Sequence, residues 1–358
     1  MTQREAPSAG TGRQRAAFTI NCHSDFLCHA IGSYRGAGDP AFLCQWRENL
    51  TAGGVNAVFC ALGGDADGFP SGYPETSAYF ETANELSERF AESFQVAHTA
   101  EELIAARQNG RIALLLGLEG CHALEGQLGM LERLHGQGLR WFSLTWNYAN
   151  ELGDGAGERT HGGLTSFGRE AIGLAQRLGI VVDLVHASRP TFWDAITVGE
   201  APFIVSHSNA ATICPHSRNL TDDQIRKVAS TGGVIGINFY PRFLTEGEPR
   251  WANIERHVRY IAELVGPEHV ALGPDFIDFA PDVVAQSLSQ STIDYGGDFS
   301  YPPGFSDDRC FRDIATALRK AGFDDDEVAG IMGQNMLQLV KRVEQLAGAR
   351  LDDNDLKG

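Results

Sequence analysis

The sequence contains no apolar run approaching the roughly 18 residues that a membrane-spanning helix needs. Positive charge is also scarce: 29 Lys and Arg stand against 46 Asp and Glu, a formal net charge of −17. A polyanionic chain repels phosphate backbones and anionic lipid heads, so neither nucleic acid nor a membrane surface is expected as a partner. No two of the seven cysteines form a CxxC pair or a zinc-ribbon spacing. Their number is odd and several stand in apolar runs such as Val58-Phe59-Cys60, which reads as free buried thiols in a reducing compartment. Glycine-rich phosphate loops of the GxGxxG and GxxxxGK[ST] kinds are absent too, against a nucleotide-binding open sheet. The first residues, MTQREAPSAGTGRQRA, lack the apolar stretch of a secretory signal and read as a disordered arm. The expected location is cytoplasmic.

What is present points to a packed globular protein. Hydrophobic residues make up 43% and charged residues 21% of the chain. Short β-branched or aliphatic runs alternate with longer amphipathic ones, the pattern of βα units. Eight strands are predicted, at Ala17–Asn21, Asn56–Leu62, Arg111–Gly117, Leu139–Thr145, Ile180–Val185, Phe203–Ser206, Gly233–Asn238 and His269–Gly273. Helical patterns fall between them: Glu75 to Gln108 with a break near Ala97, Thr165 to Leu178, Arg189 to Thr197, Thr221 to Ser230 and Trp251 to Leu264. Capping boxes are expected at Thr99–Glu102 and Thr221–Gln224. A Gly/Pro/Tyr-rich loop over about 280–305 and helices near Asp307–Ala321 and Asp326–Glu344 complete the chain. The expected fold is α/β, a (β/α)8 TIM barrel with extra C-terminal helices. Residues 1–16 form the arm, 17–349 a single domain and 350–358 an acidic tail.

The chemistry gathers where the strands end. The first predicted strand runs into His23-Ser24-Asp25, the third into Glu119, the fifth into His186, the sixth into His207 and the eighth into Asp275. In a parallel barrel these ends open on one face, where such folds place their active sites. A lone strand-end His is more often a core or loop histidine, and a lone Asp or Glu more often a helix cap. Five strand ends carrying such residues together argue for a metal site. Imidazoles suit zinc and related borderline metals, and a carboxylate with two oxygens can bridge two cations. Two metals sharing a hydroxide would produce a nucleophile at neutral pH and polarise a carbonyl. Asp275 could orient that hydroxide and pass its proton to a leaving amine.

These residues resemble the renal-type (membrane) dipeptidase family, a binuclear-zinc branch of the amidohydrolase superfamily, over about residues 17–345. The likeness rests on His-x-Asp after the first strand, Gly117-Leu118-Glu119-Gly120, Gly163-Leu164-Thr165-Ser166-Phe167-Gly168, the run from Leu178 to His186, Ser206-His207-Ser208, His216-Ser217-Arg218-Asn219-Leu220-Thr221-Asp222 and the run from Gly233 to Phe239. It implies two divalent ions, zinc first among them: one on His23, Asp25 and Glu119, the second on Glu119, His186 and His207. It further implies that Arg218 grips the C-terminal carboxylate of a dipeptide, where a planar guanidinium suits a bidentate contact, and that Asp275 and Glu119 serve catalysis. A zinc-dependent dipeptidase follows as the expected activity, with tolerance of a D-residue at the C-terminal side, and a homodimer as the assembly common among such relatives. Trimming of a Cys-Gly-type conjugate, lactone opening and a non-catalytic binding barrel stand as alternatives. The sequence departs from the family twice. Leu144-Thr145-Trp146-Asn147 stands where the family often has Leu-Thr-His, placing Trp146 and Asn147 with the expected substrate contacts, and Gly273-Pro274-Asp275-Phe276-Ile277-Asp278 replaces Gly-Ser-Asp-Phe-Asp-Gly.

Overall fold

Alternation of apolar residues builds this molecule from the inside. The computed structural model of the chain describes residues 18–63, 70–160, 162–277, 288, 291–296 and 300–355, with the backbone alone from 350 onward. The expected arm over 1–16 and half of the Gly/Pro/Tyr-rich loop lie outside the described residues. Nine strands form one sheet: β1 (Ile20–Ser24), β2 (Ala57–Ala61), β3 (Phe94–Val96), β4 (Ile112–Glu119), β5 (Leu139–Ser143), β6 (Val181–Asp183), β7 (Phe203–Ser208), β8 (Val234–Ile237) and β9 (Val270–Leu272). Every pairing is parallel, in the order β1-β2-β4-β5-β6-β7-β8-β9. β9 returns to pack against β1, giving a nearly closed (β/α)8 barrel.

Strand periodicity splits the apolar residues into two sets. Ile20, Cys22, Ala57, Phe59, Ala61, Ala113, Leu115, Trp141, Val181, Ile204, Val234 and Ala271 pack together as one cluster, the filling of the barrel. Their neighbours Val58, Cys60, Leu114, Leu116, Phe142, Val182, Val205, Ile235 and Leu272 join the larger cluster beneath the helices. Met336, Leu339, Val340 and Val343 of the helix Asn335–Asp355 pack onto the first cluster, close to the starts of the strands. The barrel is therefore plugged at one end and open for chemistry at the other.

The eight expected strands are the eight of the barrel path, with three local corrections. The first strand runs Ile20–Ser24, further along than expected, because a bulge between Asn21 and Ser24 keeps it paired to β2. The stretch expected as broken helix contains β3, which takes the free edge of β4 at Ile112–Leu114 before β5 begins pairing at Leu116. Its three residues lie between two strong helical patterns that mask them. The expected helix Asp326–Glu344 is interrupted by a π-turn over Gly330–Gln334. A Cβ on Gly333 would lie 2.5 Å from the Phe18 carbonyl oxygen, so the break lets the chain press against the start of the first strand. The helix that follows runs on to Asp355, into the segment expected as a tail.

The capping box at Thr221 forms completely. At Thr99 it forms in part, since Thr99 accepts from Glu102 N–H while Glu102 accepts from His98 N–H.

The filling tolerates little change of volume. A Cβ on Gly117 would lie 2.2 Å from the Trp141 indole, whose Nε1 donates to the Leu115 carbonyl at 3.0 Å. Gly117→Ala should destabilise the protein by about 1–3 kcal/mol, read as a lower denaturant midpoint with unchanged slope. Gly36→Ala, in the helix Phe26–Ala37 with nothing within 4 Å of the added carbon, should leave stability unchanged or raise it by up to about 1 kcal/mol.

Candidate metal centre

Simple alternation along β1 and β7 would turn His23 and His207 away from the barrel axis, since Ile20, Cys22 and Ile204 point into it. In both strands a bulge corrects this: between Asn21 and Ser24 two residues of β1 oppose one of β2, and between Val205 and Ser208 two of β7 oppose one of β8. Each bulge has a side chain that takes a freed amide. Asn21 Oδ1 accepts from His23 N–H at 3.1 Å, and Asp183 Oδ1 accepts from Ser206 N–H at 3.1 Å. Glu119 follows the inward alternation of Ala113, Leu115 and Gly117 without such help. His186 and Asp275 are turned inward differently, by left-handed backbone at φ 63° and 58°. That conformation costs of order 1–3 kcal/mol for a side chain other than glycine and collects at functional sites.

The six side chains singled out by the sequence come together. Glu119 Oε1 lies 3.0 Å from His186 Nε2, 3.2 Å from His207 Nε2 and 3.7 Å from His23 Nε2. His23 Nε2 is 3.6 Å from Asp25 Oδ2 and 3.7 Å from Asp275 Oδ1. Three overlapping groups could hold a cation: His23–Asp25–Glu119, Glu119–His186–His207 and His23–His207–Asp275. Asp25 precedes the helix Phe26–Ala37 yet does not cap it, and its Oδ1 is buried without a hydrogen-bond partner, as are both ring nitrogens of His23. Buried polar atoms are normally satisfied, so these ligand atoms fit a cation. The imidazoles are held from behind. Asn147 Oδ1 lies 3.0 Å from His186 Nδ1 and Ser206 Oγ lies 3.0 Å from His207 Nδ1, leaving each Nε2 free to face Glu119.

In the metal-free chain the electrostatics are unbalanced. Burial pushes Glu119 well above the ordinary carboxylate range, with His23 opposing. Burial presses His23 down, but Glu119, Asp25 and Asp275 outweigh it and carry the imidazole up to about 10. His186 and His207 are held well below their usual value, first by burial. Burial raises Asp275 as well, and Asn238 Nδ2 donates to its Oδ2 at 3.0 Å.

The remaining sequence candidates divide. Arg218 is 5% exposed, its Nε has no partner, and no carboxylate of the described residues lies within ion-pair distance. Its guanidinium stands 5.6 Å above the Phe243 ring and acts electrostatically on Glu119, Asp275 and His186. Trp146 lies beside His186, ring centroids 5.9 Å apart. Asn147 is fully buried behind His186 rather than at the open mouth. Asn238, Ser206, Asp183 and Tyr295 escaped sequence reasoning. Ser206 was findable, as a hydroxyl directly before a strand-end histidine; Tyr295, 148 residues from its partner Asn147, had no signal in the linear chain.

A parallel barrel carrying a histidine and carboxylate cluster at the ends of its strands defines the metallohydrolase class of (β/α)8 proteins. A sequence model described as membrane dipeptidase (peptidase family M19) matches residues 45–292, and the chain belongs to that family. The match begins after His23 and Asp25, which the geometry joins to the rest. An uncharacterized dipeptidase of Schizosaccharomyces pombe is 32% identical over 282 residues, 76% of this chain and 63% of that protein. The chain spans less than two thirds of the length of the curated relatives it matches. Among solved structures, an amidohydrolase from Pseudomonas aeruginosa shares the fold with a TM-score of 0.80 at 22% identity, covering 91% of this chain and 96% of that one. A metallopeptidase from Rhodobacter sphaeroides, liganded with a phosphinate mimic of the dipeptide L-Ala-D-Ala, has a TM-score of 0.76 at 23% identity over 91% and 99%.

A cation entering this cluster must displace the proton that His23 holds up to about pH 10. Zinc uptake by chelator-stripped protein at pH 8 should therefore release at least about one proton per chain, and apparent affinity should rise with pH toward 10. Calorimetric titration in two buffers of different ionisation enthalpy measures the release. Uptake without proton release would count against this ligand set.

Proposed function

We propose that the chain is a metal-dependent dipeptidase that loads two zinc ions. His23, Asp25 and Glu119 would hold one ion, Glu119, His186 and His207 the other, with Glu119 as the bridge. The observation that carries the reading is Arg218, a buried guanidinium with no carboxylate partner among the described residues, at the same mouth as the donor cluster. Burying an unpaired charge is costly, and a ligand carboxylate removes that cost. Bound zinc would supply the charge that activates water near neutral pH and polarises the scissile carbonyl.

The chain's own residues do the rest. Arg218 pairs with the free C-terminal carboxylate and so sets the register of the dipeptide. Asp275, held at Oδ2 by Asn238, takes a proton from the attacking water and returns it to the leaving amine. Trp146 forms the wall beside His186 and narrows the space for the N-terminal residue. The L-Ala-D-Ala mimic held by the Rhodobacter sphaeroides protein supports extending the substrate class to dipeptides with a C-terminal D-residue. Cys-Gly-type conjugates carry the same carboxylate and belong in the same substrate panel, whereas lactone opening offers Arg218 nothing to grip. Seven unbridged cysteines support a cytoplasmic location, and no helix of the described residues is long and apolar enough to cross a membrane.

Turnover of a dipeptide panel by metal-loaded protein, with elemental analysis of its metal content, tests the reading; loaded protein that cleaves no member overturns it. Two variants test the roles. Arg218→Ala should raise KM for a good dipeptide by roughly 10- to 150-fold, the loss of one charge-assisted contact. The native enzyme should discriminate against the corresponding dipeptide amide, and equal turnover of the two would remove Arg218 from the carboxylate. Asp275→Asn should lower kcat by at least about 100-fold while both ions stay bound. Near-native kcat in that variant would remove Asp275 from proton transfer.

A further inference from the structure

Tyr295, on the segment after β9, is buried and donates its hydroxyl hydrogen to Asn147 Oδ1 at 2.8 Å. That oxygen is the one 3.0 Å from His186 Nδ1. An amide oxygen has no proton to give, so Nδ1 must carry the hydrogen and Nε2 must present its lone pair toward Glu119. Were the amide turned over, its NH₂ would donate to Nδ1, and Nε2 would carry the proton and be closed to a cation. The Tyr295 hydroxyl opposes that turn, since it donates to this oxygen and a turned amide would present it with a donor instead.

Tyr295 is itself fixed. Its carbonyl accepts from the Tyr240 hydroxyl at 2.8 Å, and its ring packs edge-on to Tyr240 with centroids 5.8 Å apart. The residue before it, Asp294, takes two hydrogen bonds from Arg242 at 2.8 and 2.6 Å. The Asp294 carbonyl lies 2.8 Å from His216 Nε2, and His216 Nδ1 accepts from the Arg218 N–H at 3.1 Å. Neighbouring residues of one segment thus brace both His186, through Asn147, and the buried arginine.

We propose that Tyr295 is a positioning residue which, through Asn147, fixes His186 in the tautomer that ligates a cation beside Glu119. The inference rests on the reading of the cluster as a two-ion centre. Metal-loaded native protein and variants are dialysed against graded chelator, and retained zinc is counted by elemental analysis, with thermal unfolding as the check on folding. Tyr295→Phe, which removes one hydroxyl, should lose one of its two ions at roughly 10- to 100-fold lower chelator than native protein and keep the other. Asn147→Leu, which removes the acceptor and leaves Tyr295 in place, should show the same selective loss. Adding Asn147→Asp to Tyr295→Phe should restore retention, because a carboxylate accepts from Nδ1 whichever way it turns; a packing role for the hydroxyl would not be rescued so. Native-like retention of both ions by Tyr295→Phe, or loss that Asn147→Asp does not restore, overturns the positioning role alone. Native protein that never holds two ions overturns the two-ion reading itself, and this inference with it.

Discussion

A single buried carboxylate oxygen, Glu119 Oε1, faces the Nε2 atoms of three histidines at 3.0, 3.2 and 3.7 Å, and the rest of the site is arranged around that crowding. Desolvated carboxylates and lone-pair nitrogens at such spacing repel unless protons or cations stand between them. Burial accordingly displaces Glu119 upward, and the facing carboxylates displace His23 upward. Below the cluster the interior is filled by Ile20, Phe59, Leu115, Trp141 and their neighbours, and the Trp141 ring meets His23 edge-on with centroids 6.0 Å apart.

Bringing these donors together took four departures from regular backbone. Two bulges and two left-handed residues re-aim His23, His207, His186 and Asp275, while Glu119 alone arrives by ordinary alternation. Asp183 joins two of these tasks. Its Oδ1 takes the Ser206 and Val185 amides, and it also pairs with the side chain of Ser206, the hydroxyl behind His207. Burial raises Asp183 to about 6 against the pull of those hydrogen bonds. Local strain at a site is tolerable when surrounding bonds over-determine it, which is the situation here.

The charge pattern fits a small ligand that carries a carboxylate at one end. The chain as a whole carries −17, and the mouth holds three carboxylates, yet Arg218 is buried beside them with no acidic partner among the described residues. The proposed dipeptide would supply what the arginine lacks at one end and a scissile carbonyl at the other. The two ends would be registered by Arg218 and by the cluster, both braced by Asp294 and Tyr295.

Short β-branched or aliphatic runs were enough to reveal eight strands with helices between them, because each barrel strand is an apolar run bounded by turn residues. His23, Asp25, Glu119, His186, His207 and Asp275 were legible for the same reason: each stands where such a run stops, and parallel topology sends all those stops to one face. The short strand β3 was not legible, since three residues carry no period and its place is defined by the edge of β4 that β5 leaves free. Nor were the bulges, which depend on register against a neighbouring strand and decide whether His23 and His207 face the axis at all. Asn147 read as a substrate contact, and the structure sets it behind His186 instead. Tyr295 lies 148 residues from Asn147, so only the closed barrel, which folds the segment after its last strand back over the middle of the chain, could pair them.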